Sequence, residues 1–388
     1  MEKEKRLKIA YCTPALYLAG GMERVLSLKV NYFAEHFDYD ITIIITDGMG
    51  KKMFYPLSEK VKIINLDINF EELWNQPFLK KVMLYLKKQH LYKRKLTACL
   101  MQLHPDITVS MLRREINFIT SIPDGSKKIG EIHINKAHFR TFEGNEKNVV
   151  KILFSKYWMH TLLGNLKKLD RFVVLTDSDK SSWYELNNVE VIPNPLSFTS
   201  TVNNDLINKR IISVGRYSYE KGYDYLLQAW ASIQDQCGEW RLDVYGDGDQ
   251  SSYDKLIDKL KIDRNRCALN PATQGIQKKF EESAIAVCSS RFEGFGLVII
   301  EAMACGLPVV SFDCPWGPRS IIQNGKDGFL VENGNVDKLA EAMLKLVLDK
   351  DLRSEMGKNA KINVQRFSID EIANKWKALF EEVVDCKQ

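Results

Sequence analysis

Short apolar runs rich in β-branched residues alternate with longer amphipathic stretches along most of the chain. In the first half, Leu7–Cys12, Ile41–Thr46, Val61–Leu66, Ile107–Ser110, Lys128–Ile132 and Phe172–Leu175 predict strands. Met22–Glu35, Pro77–Leu103 and Val149–Leu169 predict helices between them. Past Asn188 the rhythm restarts. Arg210–Val214, Arg241–Tyr245, Ile285–Ser289 and Pro308–Phe312 predict strands, with helices near 221–236, 251–261, 275–283 and 296–305. Apolar strands separated by helices point to parallel sheets covered on both faces. One open sheet of ordinary size would not hold them all. The expectation is therefore α/β, with two Rossmann-like doubly wound domains in tandem and ligands bound at strand ends in a cleft between them. The boundary falls at Val191-Ile-Pro-Asn-Pro-Leu-Ser-Phe198, where two prolines stiffen the backbone and stop any helix.

Composition narrows the class. With 388 residues, 45% apolar and 27% charged, the chain has enough material for two or three globular cores. The longest apolar stretch, Gly296 to Phe312, carries Glu301 and Pro308, so no membrane span is expected. The mixed-charge start, Met1 to Arg6, does not read as a secretory signal. Eight cysteines without a CxxC pair read as buried thiols in a reducing compartment, and a cytoplasmic protein is expected. His133 and His138 lack neighbours at metal-ligand spacing, and no metal site is expected. Charge is uneven: residues 1–175 carry 29 Lys and Arg against 18 Asp and Glu, a net of +11, which leaves −6 of the overall +5 for the rest. The two halves therefore face different partners.

Chemistry concentrates in three strand-to-helix turns. In Ser289-Ser-Arg-Phe-Glu-Gly-Phe-Gly-Leu-Val-Ile-Ile-Glu301, Gly294 and Gly296 permit close backbone approach, and the amides of Phe295, Leu297 and Val298 open a helix that can receive an anion. Glu293 precedes that helix and Glu301 lies inside it. Two readings stay open: the pair holds sugar hydroxyls, or it is a helix-start acid plus a Glu paired to a buried cation. In Ser213-Val-Gly-Arg-Tyr-Ser-Tyr-Glu-Lys-Gly222, a guanidinium (Arg216) and an ammonium (Lys221) suit a diphosphate. Basic residues on a turn are otherwise simply solvated. Gly20-Gly21 is a weaker phosphate signal, and without GxGxxG it does not support a nicotinamide site.

The E-x7-E pair, the GR…EKG turn, Val191-Ile-Pro-Asn-Pro195, Tyr245-Gly-Asp-Gly248 and Gly317-Pro-Arg-Ser-Ile-Ile322 occur in an order that resembles the retaining glycosyltransferases of family 4, with the GT-B fold (glycosyl transferases group 1). The resemblance implies an acceptor-binding domain over 1–190, a nucleotide-sugar donor domain over 191–365, and a C-terminal helix within 366–388 that returns to the first domain. It implies Glu301 on the ribose hydroxyls of the donor, Glu293 against the donor sugar, and Arg216 and Lys221 on the diphosphate. The amides after Gly294, with Gly20, Gly21 and Gly246, would complete the donor cradle. His133 resembles the histidine of the first domain that reaches donor sugar or acceptor, although Ile132 separates it from Glu131 where the family has Glu and His adjacent.

The function so implied is transfer of a hexose or N-acetylhexosamine from a UDP- or GDP-sugar to a saccharide or lipid-linked acceptor in surface polysaccharide synthesis. No cofactor is expected, and Asp247-Gly-Asp249 is read as a turn by the base, not as a magnesium motif. The alternatives are a sugar-nucleotide epimerase or hydrolase, or a non-catalytic nucleotide-sugar-binding protein. Nucleic-acid binding lacks any aromatic-interleaved basic motif.

The segment from Phe78 to Lys95 is apolar at 79, 82, 83 and 86 and basic at 80, 81, 87, 88 and 93–95. The expectation is a mixture, with an apolar stripe facing the core and charges that draw the protein to the inner face of an anionic membrane.

Overall fold

The computed structural model describes residues 6–134, 136, 149–202 and 204–385, with backbone alone at 78 and 149–157; His138 and Cys386 lie outside this set. The described chain divides into two compact units, Met1–Pro195 with Ile369–Gln388, and Leu196–Ser368.

Among the described residues the first unit holds seven strands: β1 (Lys8–Thr13), β2 (Asp40–Ile45), β3 (Lys62–Asn65), β4 (Ile107–Ser110), β5 (Lys127–Glu131), β6 (Arg171–Val174) and β7 (Val189–Val191). They form one sheet in the order β3-β2-β1-β4-β5-β6-β7, with every pair parallel. Its helices are α1 (Gly21–His36), α2 (Phe78–Leu103), α3 (Val149–Leu166) and α4 (Asp177–Ser182).

The described residues of the second unit form six strands: β8 (Arg210–Val214), β9 (Arg241–Gly246), β10 (Cys267–Pro271), β11 (Ile285–Cys288), β12 (Val309–Phe312) and β13 (Gly328–Val331). Their order is β10-β9-β8-β11-β12-β13, again all parallel. Its helices are α5 (Tyr223–Ile233), α6 (Ser251–Lys259), α7 (Ile276–Glu281), α8 (Leu297–Ala304), α9 (Pro318–Ile321), α10 (Val336–Leu348) and α11 (Lys350–Asn363). A last helix, α12 (Ile369–Asp385), belongs to the first unit.

Side-chain alternation explains the two-sided cores. Ile9 and Tyr11 of β1 join one apolar cluster, with Val30 and Phe33 of α1 and Trp376 and Phe380 of α12. Ala10 and Cys12, one residue out of phase, join the other, with Tyr92, Leu96 and Leu100 of α2 and Leu162 and Leu166 of α3. The first sheet is thus a doubly wound α/β layer, and the second repeats its winding.

Three strands, β7, β10 and β13, and four helices, α4, α9, α10 and α11, lie outside the pattern reading. The first division falls after Pro195, within the connector Val191–Phe198 that the pattern marks, and the second after Ser368; the bounds implied by the resemblance, 190 and 365, lie a few residues earlier. β7 pairs with β6 through Val191, so the proline-flanked connector starts later than its apolar lead-in suggests.

The structure corrects the reading of α2. Its core-facing residues are Tyr92, Leu96 and Leu100, joined by the partly buried Leu84 and Tyr85. Leu79, Val82, Met83 and Leu86, expected to face the core, are exposed.

Candidate active site

In the second sheet the winding reverses between β8 and β11, so the chain leaves these neighbouring strands in opposite senses and opens a crevice at their C-terminal ends. Two turns flank it, residues 215–222 after β8 and 289–296 after β11. Gly222 is what lets them meet. Its φ is +60°, and an added Cβ would run into the Ser289 carbonyl oxygen. The Ser289 hydroxyl donates to the Lys221 carbonyl at 2.9 Å, tying one turn to the other.

Lys221 and Glu293 form the centre of this arrangement. Lys221 Nζ donates to Glu293 Oε1 at 2.7 Å, and the Ser290 hydroxyl donates to the same oxygen at 2.6 Å. Burial opposes the charge on Lys221, but Glu293 outweighs it and holds the ammonium above its ordinary value. Arg216 behaves differently. It is exposed, pairs with Glu220 at 3.0 Å, and lies close enough for its charge to act against that of Lys221. The expected pairing of both cations with one anion would need Arg216 to leave Glu220.

The backbone of Glu293 bridges to Trp316, and the chain then turns at Gly296, whose φ of +100° starts α8. The first amides of α8, at Leu297 and Val298, have no acceptor within the helix, so they can meet an anion. The side chain of Phe295 is buried and stacks edge-on against Phe367, which leaves only its backbone for a ligand. Gly294 is not among the glycines with positive φ. Glu301, on α8, is buried and accepts from the Ser197 hydroxyl at 2.5 Å. Glu293 thus holds the Lys221 ammonium, and Glu301 accepts from the Ser197 hydroxyl. Ser197 sits in the proline-flanked connector, and nothing in its local sequence marks it as the partner of Glu301.

Gly246, at the end of β9, packs so tightly on Gly215 that an added Cβ would strike the Gly215 carbonyl oxygen. The carboxylates of Asp247 and Asp249 bond locally, to the Gly248 amide and to the amide and hydroxyl of Ser251. Arg291, also missed by pattern reading, is bidentate to Asp224 and lies over the rings of Tyr219 and Tyr225, bracing the turn after β8.

Gly20, Gly21 and His133 belong to the first unit. Gly20 is the N-cap of α1, and the Glu23 carboxylate, from the first turn, lies against it. The positive end of that helix thus already has an anion of its own. His133 follows β5, and its Nε2 approaches Glu131 Oε1 at 3.1 Å, without the alignment of a hydrogen bond. Ile132 therefore does not keep the two apart. The same Glu131 oxygen accepts from Lys29 of α1, whose ammonium stands 4.2 Å from the centre of the Trp376 ring of α12. Burial would raise the Glu131 carboxyl, but Lys29 and then His133 hold it down at about 2. Among the described residues no group of His, Cys, Asp and Glu is arranged to hold a metal ion.

Residues 202–363 match the family described as Glycosyl transferases group 1. The chain is 29% identical over 380 residues to an uncharacterized glycosyltransferase of Haemophilus influenzae, covering 96% of this chain and 99% of that one. It is 28% identical over 260 residues to a poly(ribitol-phosphate) alpha-N-acetylglucosaminyltransferase of Staphylococcus aureus, covering 66% of this chain and about half (51%) of that relative. A solved S. aureus TarM variant, in complex with fondaparinux, alpha-GlcNAc-glycerol and UDP, superposes with a TM-score of 0.75 at 18% identity, covering 96% of this chain and 99% of that one. The family match lies within the second unit, and the likeness to the solved structure shows the fold, α/β with two Rossmann-like units.

Proposed function

We propose that this chain, with its group 1 glycosyltransferase signature, moves a hexose or N-acetylhexosamine from a UDP- or GDP-sugar to a saccharide or lipid-linked acceptor, with retention at the anomeric carbon. The observation that carries the proposal is the Lys221–Glu293 pair, set where the second sheet reverses and beside the start of α8. Lys221 exchanges Glu293 for the donor diphosphate, and Arg216 swings from Glu220 to join it. The amides of Leu297 and Val298 meet the same phosphates, and the Gly246 turn flanks the base. Glu301 takes the ribose hydroxyls, and Glu293, freed from Lys221, faces the sugar. In the first unit Gly20 and Gly21 offer amides to the donor, and His133, steadied by Glu131, contacts sugar or acceptor.

In the reaction the bond from C1 to the phosphate oxygen breaks while the acceptor oxygen bonds to C1 on the same face. The acceptor's proton passes to the departing phosphate. The protein orients the partners and stabilises the charge that appears on the diphosphate. Two basic side chains supply that positive charge, so turnover is expected to persist in EDTA. The name of the S. aureus relative and the ligands of the solved TarM complex favour UDP, an N-acetylglucosamine donor and a polyol-phosphate acceptor.

The test is a radiolabelled transfer assay with UDP- and GDP-sugars, with and without acceptor, followed by NMR of the product anomer. Product that needs an acceptor and keeps the donor's anomeric configuration supports the proposal. Consumption of donor without acceptor favours a hydrolase or epimerase, and an inverted product refutes retention.

A further inference from the structure

Helix α2 is 26 residues long and contains seven Lys and Arg but no Asp or Glu. At about 100° per residue, positions 79, 83, 86, 90 and 94 share one outward strip. That strip reads Leu79, Met83, Leu86, His90, Arg94, and all five are exposed. Leu79 is 77% exposed, and Met83 and Leu86 are each 62% exposed. Val82 borders them, and Trp74 is exposed just ahead of the helix. Large apolar side chains clustered this way on a surface mark an interaction site. The exposed side is basic as well, with Lys80 and Lys81 in the first turn and Lys87, Lys93 and Arg94 farther along. The nearest acids are occupied, Glu71 by Lys51 at 2.7 Å and Glu72 by Lys88 at 2.9 Å. Lys95 also turns inward, donating to the Leu66 carbonyl at 2.6 Å.

We infer that α2 docks obliquely on an anionic lipid surface, its first two turns entering the headgroup and acyl boundary while Lys87, Lys93 and Arg94 meet lipid phosphates. Leu79 to Leu86 span about 10 Å along the helix axis, which matches the roughly 5–10 Å to which interfacial helices bury their apolar side. Trp74 suits the same depth, since tryptophan favours the membrane interface. A protein groove would satisfy the leucines but has no reason to be flanked by basic residues that have no ion pair among the described residues, on an acid-free helix. An anionic bilayer satisfies both. The apolar stripe itself is therefore the anchor and the charges assist it, the reverse of the division the pattern suggests. This deepens the acceptor side of the proposed function, because it would bring the enzyme to lipid-linked substrates.

The test needs no turnover, so its failure would leave the glycosyl-transfer reading standing. Flotation is measured with phosphatidylcholine vesicles, with and without about 30% phosphatidylglycerol, at low and high salt. The unaltered protein is expected to float with the anionic vesicles and to keep part of its binding in high salt. A Leu79→Glu, Met83→Glu, Leu86→Glu variant should lose about tenfold or more at both salts. A Lys87→Glu, Lys93→Glu, Arg94→Glu variant should lose only the salt-sensitive part. Absence of flotation by the unaltered protein would overturn the inference. So would equal flotation by the apolar variant, or a dimer in sedimentation that this variant dissolves.

Discussion

Each unit contains a lysine–glutamate pair near its strand ends, and the two pairs differ in one respect. Lys29 and Glu131 of the first unit are 1% and 2% exposed, and Trp376 covers the ammonium. Lys221 and Glu293 of the second are 18% and 12% exposed, and they lie between two turns at a strand reversal. The first pair is sealed by its own fold and cannot be exchanged for a ligand without unpacking α12. The second can open, because its partners sit at the mouth of a crevice and Arg216 stands beside it with a loose surface partner. Sealed charge holds structure; exchangeable charge can hold a phosphate. Five substitutions or conditions sharpen that contrast.

The largest effect is expected for Lys29→Met. Removing one member of a buried pair strands the other, at a cost of about 3–5 kcal/mol. Urea unfolding should show this loss, and adding Glu131→Gln should recover much of it. A loss below about 1 kcal/mol would place the pair in the surface class. Next comes Lys221→Ala, which should lower kcat by about 10²–10³-fold, as for loss of one donor to a developing anion. Its unfolding midpoint should move far less than that of Lys29→Met. Unchanged kcat would remove Lys221 from the reaction.

Gly222→Ala puts a side chain at a φ of +60° and against a carbonyl. It should cost about 1–3 kcal/mol and separate the two turns, raising the UDP dissociation constant measured by calorimetry. Normal stability and normal binding together would show that the turns need not touch. Acid separates the units in another way. The Glu131 carboxyl is depressed from 4.5 to about 2 in the folded state, so its contribution is fully present above 4.5 and is lost as pH falls toward 2. Fluorescence of the tryptophans, Trp376 among them, should report that loss over this window, and Glu131→Gln should flatten it. The opposite sign applies to Lys221. Its pKa is raised, so its contribution is complete below 10.5 and disappears only in stronger alkali. The smallest change is expected for Arg216→Ala, which should alter stability by no more than about 0.5 kcal/mol while weakening donor binding. Unaltered donor affinity would confine Arg216 to its surface pair with Glu220.

Much of this is legible in the amino-acid sequence alone. Ile107–Ser110 and Arg210–Val214 are strands to the residue, because each short run carries three apolar or β-branched residues, Ile107, Thr108 and Val109 in one and Ile211, Ile212 and Val214 in the other. β10 and β13 were hidden because they are sheet edges, half-exposed, and carry Pro271 and Gly328, which dilute the strand signal. The turns that build the crevice were readable from their glycines and charges. Their internal wiring was not. That Lys221 bonds Glu293, 72 residues on, follows from β8 lying beside β11, which is a fact of strand order and not of local pattern. Lys29 gave no signal at all, since a lone lysine on an amphipathic helix is ordinarily solvated. The exposed face of α2 was misread because apolar spacing reports that a face exists, not what covers it.

A crystal of the full chain soaked with UDP tests the central claim most directly. The account predicts a β-phosphate within hydrogen-bond distance of Lys221 Nζ and the first amides of α8, with Glu293 released and the ribose against Glu301. A bound nucleotide elsewhere, with the Lys221–Glu293 bond still closed, would contradict it.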